Sequence, residues 1–425
     1  MALIETGTCK ISNINNKGLG VGSTEMGVVE LPYTLPGDVV EFERHKYRYR
    51  SNCITKQITE LGAKRENAPC EFFYSCGGCL LQHVTKENYL KIKLGFLENT
   101  LAENKIDTQI KPIVVIEPGN RRRVNMSFAK KNDRLFLGFF RFRSNQIINI
   151  DKCIAVVAEI SEVIAPFSMV LKEILENGQK GEVFITKVEN GIDIAFEICN
   201  HPKLCDIKRQ LLLNFAQANG VIRLLFRYRK NSDIIFSSDV PFVTFDSVPV
   251  EIDSYGFLQA SAVSDKVLTS LVLNFLDFYN CNTQIKVADL FCGYGTFTIP
   301  LSNNFTLHGF ENETKSITAL KKAVENTNRN ISVYKRDLFT NPLSTNELNE
   351  YKFAVVNPPR SGMNVQAQQL SSSSIQRICY ISCNVETFAQ DAKNLISGGY
   401  KLVEIVPVDQ FYWSPHLEVV ALFAK

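Results

Sequence analysis

The last third of the chain constrains the fold most, because it repeats one pattern: a short apolar run, a turn, a helical stretch and another apolar run. Ile285-Lys286-Val287-Ala288-Asp289-Leu290-Phe291 reads as a buried strand, and Cys292-Gly293-Tyr294-Gly295-Thr296-Phe297 as a glycine-rich turn entering a helix. Leu307-His308-Gly309-Phe310-Glu311 is a second strand, residues 331–336 a third ending at Asp337, and Phe353-Ala354-Val355-Val356 a fourth ending at Asn357-Pro358-Pro359-Arg360. Residues 375–381 make a fifth, followed by Ser382-Cys383-Asn384 and a helical stretch over residues 385–396. Strands that alternate with helices run parallel, and ligands then gather along their carboxyl ends, so a doubly wound α/β sheet is expected here.

Two features say what that edge binds and does. A strand, a Gly-x-Gly turn, a helix and a second strand ending in an acid form the generic nucleoside arrangement: glycines let the backbone approach the ligand, and Glu311 takes the ribose hydroxyls. The third glycine of a pyrophosphate site is missing, and Asp289 precedes the turn, a pattern that fits S-adenosylmethionine, which carries no phosphate. Cys383 falls on the turn before a helix, where unpaired amides and the positive dipole end favour thiolate over thiol. The plainer reading of a lone cysteine is a small buried residue at a strand end. In Val406-Pro407-Val408-Asp409-Gln410-Phe411-Tyr412-Trp413-Ser414-Pro415-His416-Leu417-Glu418, a loop carries His416 and Glu418 into a terminal strand, of which Glu418 could simply be the exposed first residue.

The chain before residue 261 reads as two further units. Residues 1–55, with closely spaced Gly18, Gly20 and Gly22 and a Pro36-Gly37 turn, have the pattern of a small OB-like β-barrel. It is followed by the basic and aromatic run His45-Lys46-Tyr47-Arg48-Tyr49-Arg50. Residues 56–260 read as a central α+β unit opening with Cys70, Cys76 and Cys79, spaced Cys-x5-Cys-x2-Cys. Three thiols this close suggest a metal centre; Cys153 is the candidate fourth ligand, and spacing leaves zinc and iron-sulfur both open. Arg121-Arg122-Arg123, Arg141-Phe142-Arg143 and Arg227-Tyr228-Arg229-Lys230 suggest a basic face for RNA phosphates, with a merely solvated face as the alternative. Net charge is only +3, so clustering must carry that argument. No membrane span or signal peptide is indicated, and a cytoplasmic monomer is expected, a compartment in which twelve cysteines do not imply disulfides.

Taken together, these residues resemble the bacterial iron-sulfur-containing 23S rRNA (uracil-5)-methyltransferases, and residues 1–55 resemble the TRAM module of RNA-modifying enzymes. The resemblance implies a seven-stranded Rossmann-like catalytic domain over residues 261–425. It also implies a [4Fe-4S] cluster on Cys70, Cys76, Cys79 and Cys153. S-adenosylmethionine contacts fall at Gln259, Phe291, Thr296, Glu311, Asp337 and Asn357, the nucleophile at Cys383 and the base at Glu418. Chemistry gives these roles sense: uracil C5 is too weak a nucleophile until a thiolate adds at C6, and the C5 proton must then be removed. The target uridine has to leave its helix or lie in a loop. One departure is Asn357, where the family usually has aspartate. Asn-Pro-Pro followed by an aromatic marks adenine amino-methyltransferases, which is the first alternative, although Arg360 holds the fourth position here. An RNA-binding iron-sulfur protein with a decayed site is the second, and tRNA rather than rRNA is the alternative substrate.

Overall fold

The computed structural model describes residues 3–25, 27–46, 51–199, 203–228, 231–276 and 284–425. Among them the chain forms sheets of five, seven and nine strands and a two-stranded ribbon. The five-stranded sheet is antiparallel, with Gly27–Leu31, Gly20–Thr24, Leu3–Ile14, Val39–Lys46 and Ser51–Glu60 in spatial order. It curls round Ile11, Leu31, Val40 and Phe42, and its outer strands meet where Thr55 Oγ1 donates to the Pro32 carbonyl at 2.8 Å. Of the basic run after it, Tyr47, Arg48, Tyr49 and Arg50 lie outside the described residues, as do Arg229 and Lys230 of the later cluster.

The seven-stranded sheet places Arg123–Lys131 and Lys180–Val188 at its centre. Helices Ala158–Ile174 and Asp206–Ala218 cover one face, where Phe167 meets Phe196 and Phe215 at ring distances of 5.7 and 5.2 Å. Alternation along the strand puts Val124, Met126 and Phe128 into that core.

The nine-stranded sheet carries the site. Its order is Ile331–Lys335, Thr306–Glu311, Lys286–Leu290, Phe353–Val356, Arg377–Ser382, Glu418–Ala424, Lys401–Asp409, with Gln109–Ile110 and Val114–Val115 pairing on the far side of the last. The first five run parallel, and Glu418–Ala424 runs antiparallel to both neighbours. Apolar residues such as Leu290, Val356 and Tyr380 fill one side and Val287, Val355 and Ile381 the other, as sheets covered on both faces require.

Seven strands are expected from the sequence and nine form. The two additional strands come from residues 109–115, which cover the edge that Lys401–Asp409 would otherwise leave open. Two residues each are too few to show periodicity. Helix Lys86–Glu103 joins them, burying Leu97 and Leu101 in the same core as Phe388 and Leu395. The nine-stranded sheet therefore recruits residues 86–115, which precede the central sheet in the chain.

Candidate active site

The parallel strands deliver their following residues to one edge, so Phe291, Glu311, Asp337, Asn357 and Cys383 all lie at carboxyl ends. In the glycine turn, Phe291, Gly293 and Gly295 adopt φ of +64°, +54° and +92°. A Cβ on Gly295 would meet Leu320 Cδ1 at 2.6 Å, which explains glycine there. Glu311 Oε2 accepts from the Gly293 amide at 3.1 Å, and Oε1 from the Asn312 and Glu313 amides at 2.7 and 2.8 Å. That holds the carboxylate against the turn with acceptor capacity remaining. Asp337 accepts from the Phe339 amide at 3.0 Å, which lowers its carboxyl, and the ring of Phe339 lies 5.6 Å from that of Phe291. Asp289 is fully buried; Thr298 Oγ1 donates to its Oδ2 at 2.5 Å, Oδ1 has no partner among the described residues, and burial pushes the carboxyl up to about 7. Thr296 sits in the turn, its carbonyl accepting from Thr269 Oγ1 at 3.4 Å, and the Asn357 amide donates to the Leu290 carbonyl at 3.2 Å.

Cys383 and Glu418 are brought together by register. Ser382 pairs with Val419, so the next residue on one strand faces the preceding residue on its antiparallel neighbour. Glu418 is only 2% exposed, which replaces the reading of an exposed strand end with a buried acid. Burial pushes its carboxyl up to about 7, opposed by Gln410, whose Nε2 donates to Oε2 at 2.6 Å. The same Nε2 lies 3.3 Å from Gln259 Oε1, joining Gln259 to the acid. Cys383 departs from the expected thiolate: burial first, then the charge of Glu418, push the thiol up to about 11. A helix N-terminus does not outweigh the two, so the resting form is the thiol. Arg360 opposes them and is the cation that favours the thiolate. Arg360 Nη2 also lies 3.2 Å from His416 Nδ1, and partial desolvation of the ring followed by the charges of Arg360, Lys93 and Arg121 pushes His416 down to about 4, so the imidazole is neutral and accepts.

The loop bearing these groups is clamped by the helix Lys86–Glu103. Lys93 Nζ, wholly buried, lies 2.9 Å from Asp409 Oδ1 and donates to the Ser414 carbonyl at 2.9 Å and to the His416 carbonyl. Tyr89 donates to Asp409 Oδ2 at 2.5 Å and accepts from the Trp413 amide at 2.9 Å. The Arg121-Arg122-Arg123 triplet divides as well. Arg122 is buried, paired with Asp265 at 2.8 Å and donating to the Gln259 carbonyl at 3.1 Å, and Arg123 donates to the Leu258 carbonyl at 3.4 Å. Only Arg121 is exposed, so the triplet braces Gln259 rather than presenting three cations to a polyanion.

A cavity of about 550 Å³ lies against this edge, lined by Cys383, Arg360, Gln410 and His416 on one side and by Cys70, Cys76, Cys79 and Cys153 on the other. The four thiols are mutual neighbours: burial pushes Cys79 up to about 12, with Cys153, Cys76 and Cys70 each adding to it. Four such thiols ionise together only around positive charge. Among the described residues, no group of three or more His, Cys, Asp or Glu converges on a point suited to a single ion. The all-sulfur donor set has the chemistry that zinc and iron-sulfur centres both take.

Comparison with known proteins places this geometry. Residues 86–425 match the family described as tRNA (Uracil-5-)-methyltransferase. The chain belongs to that family. An uncharacterized RNA methyltransferase of Brucella melitensis is 34% identical over 427 residues, covering 100% of this chain and 99% of the relative. The 23S rRNA (uracil(1939)-C(5))-methyltransferase RlmD of Mannheimia succiniciproducens is 27% identical, covering 98% and 95%. The structure of Pyrococcus abyssi tRNA (uracil-54, C5)-methyltransferase with S-adenosyl-L-homocysteine shares the fold, with TM-score 0.72 at 20% identity, covering 99% and 100% of the two chains. The chain is thus an S-adenosylmethionine-dependent methyltransferase of the RNA uracil-5 class.

For a member of this family, the structure joins Gln259 to Glu418 through Gln410, puts Gln410 and Cys383 in one cavity wall, and sets Phe291, Thr296, Glu311, Asp337 and Asn357 along the adjoining strand ends. It adds Gln410, Lys93, Tyr89 and Asp409, to which the sequence assigns no role, and turns Arg122 from a candidate phosphate contact into a brace for Gln259. Lys93 had a signal: it interrupts the buried stripe Tyr89, Phe96, Leu97 and Leu101 on its helix, and a lysine there needs a partner. Gln410 had none, because its partners are 8 and 151 residues away in the sequence.

Proposed function

We propose that the chain methylates C5 of a uridine in 23S rRNA through a covalent intermediate. Cys383 adds to C6, the enolate so formed takes the methyl group from the sulfonium at C5, and Glu418 removes the C5 proton so that the thiolate leaves. The observation that carries this reading is the pairing of a thiol and a buried carboxyl on adjacent strand ends, with Arg360 acting on the thiol and lining the same cavity as Cys383 and as Gln410, the donor to that carboxyl. A carboxyl near 7 matches a group that must be ionised to accept a proton and neutral afterwards. Arg360 stabilises the thiolate as it forms, and Glu311 and Asp337 hold the ribose and adenine of the cofactor.

Ribosomal rather than transfer RNA is favoured by likeness to the Mannheimia enzyme along nearly the whole chain, curled N-terminal sheet included. That sheet is read as the TRAM-like module that grips RNA. Cys70, Cys76, Cys79 and Cys153 would hold a [4Fe-4S] cluster, which when bound supplies strong iron-thiolate bonds that tie the loop 70–79 to the segment at Cys153.

Incubating the protein with S-adenosylmethionine and 5-fluorouridine-substituted ribosomal RNA tests the reading. Fluorine at C5 cannot leave as a proton, so a stable adduct on Cys383 is expected, and the attached RNA names the site. Methylation of ordinary RNA without any adduct would refute the uracil-5 chemistry and direct attention to adenine and Asn357.

A further inference from the structure

We infer that Gln410 is the positioning residue for proton removal: its carboxamide ties Glu418 to Gln259 and holds the carboxylate with one oxygen free for the C5 hydrogen. The inference rests on the reading of Glu418 as the base.

The amide orientation of Gln410 is fixed by its partners. Nε2 faces Glu418 Oε2 at 2.6 Å and Gln259 Oε1 at 3.3 Å, and both are acceptors. A flipped amide would set its oxygen against those two oxygens. Oε1 is therefore held on the other side, where it is buried and has no partner among the described residues. A half-unpaired polar side chain at 7% exposure is costly, and an apolar residue of equal length would avoid that cost, so the tether is what accounts for glutamine here.

Both ends of the tether are anchored. Gln259 is gripped through its carbonyl by Arg122, itself paired with Asp265. Gln410 follows Asp409, whose carboxylate is locked by Lys93 and Tyr89. Between them Glu418 has Oε2 engaged, and no described residue bonds Oε1. In the step served, the C5–H bond breaks and its proton passes to Oε1. The electron pair forms the C5=C6 double bond, and the Cys383 sulfur leaves C6 as thiolate.

The titratable and charged groups near the carboxylate are Cys383 from the turn beside it, Arg360 from the Pro-Pro-Arg segment, and His416 from its own loop. Asp409 points away to Lys93. Gln410 is the donor that favours the ionised carboxylate, so losing it moves the base upward while leaving the others in place.

The test compares Gln410→Met with wild type in two assays. Adduct formation on 5-fluorouridine RNA needs Cys383 and methyl transfer but no C5–H cleavage, so the variant should stay within about twofold. Turnover on ordinary RNA should fall roughly 10- to 100-fold, the effect of losing one hydrogen bond to a charged group. A covalent complex carrying methylated uridine should accumulate, and the acidic limb of the pH–rate profile, where the base gains its proton, should move up by about one pH unit. If both steps slow together with an unchanged profile, or neither slows, the positioning role is refuted. Should Gln410→Met fail to bind S-adenosylmethionine, Gln410→Asn, which keeps the amide, takes its place with the same expected split between steps. Absence of an adduct in wild type would overturn the uracil-5 reading itself, whatever Gln410 does.

Discussion

Replacing Glu418 with glutamine should make the protein more stable at alkaline pH while destroying its turnover. In the fold the carboxyl sits at about 7 against an ordinary value of 4.5, because burial disfavours its charge more than Gln410 supports it. A folded value above the unfolded one means the native state binds the extra proton, so stability is full below pH 4.5 and falls as pH rises toward 7. Each tenfold in the equilibrium is about 1.4 kcal/mol, so the ionised group weakens the fold by roughly 3 kcal/mol above pH 7. Glu418→Gln removes the charge and keeps a carbonyl oxygen for Gln410 Nε2. Its advantage over wild type should therefore be about 3 kcal/mol at pH 8 and about 1 kcal/mol at pH 5. Asp289 titrates in the same range but is common to both proteins and cancels in the difference. Trp413, the only tryptophan in the chain, lies in the loop five residues before Glu418, so urea unfolding followed by its fluorescence reports the relevant unit. An advantage independent of pH, or larger at pH 5, would refute the argument that buried charge at Glu418 costs stability.

Three further outcomes are expected. Glu418→Gln should also lower the Cys383 thiol, because a like charge is removed, and alkylation of Cys383 by iodoacetamide at pH 8 should quicken; an unchanged rate would mean the two groups do not interact. Lys93→Met leaves Asp409 charged and unpaired in the interior, a loss of about 3–5 kcal/mol in urea unfolding, whereas Lys93→Met with Asp409→Leu should recover most of it; equal destabilisation in the double variant would rule out the ion pair as the cause. Cys383→Ala should abolish methylation and fluorouridine adducts while keeping S-adenosylmethionine and RNA binding, both measurable by titration calorimetry, and residual turnover would remove Cys383 from the mechanism.

The sequence by itself determined the elements and the local chemistry. Periodicity gave the alternating strands and helices of the last third, the Gly293 and Gly295 turn followed from φ values that only glycine adopts freely, and Cys70, Cys76 and Cys79 announced themselves by spacing. These are short-range properties, set by neighbours within a few residues. Tertiary structure decided the rest. The pairing of Ser382 with Val419 sets Cys383 against Glu418 from 35 residues away, and residues 109–115 extend a sheet whose other strands begin at Lys286. Protonation followed the same rule: Cys383 stands at the helix end that the sequence foretold, yet its thiol rises to about 11 because burial and Glu418 outweigh that helix end. Burial and long-range register are properties of the packed chain, and they set the charge, orientation and partners of the groups in this site.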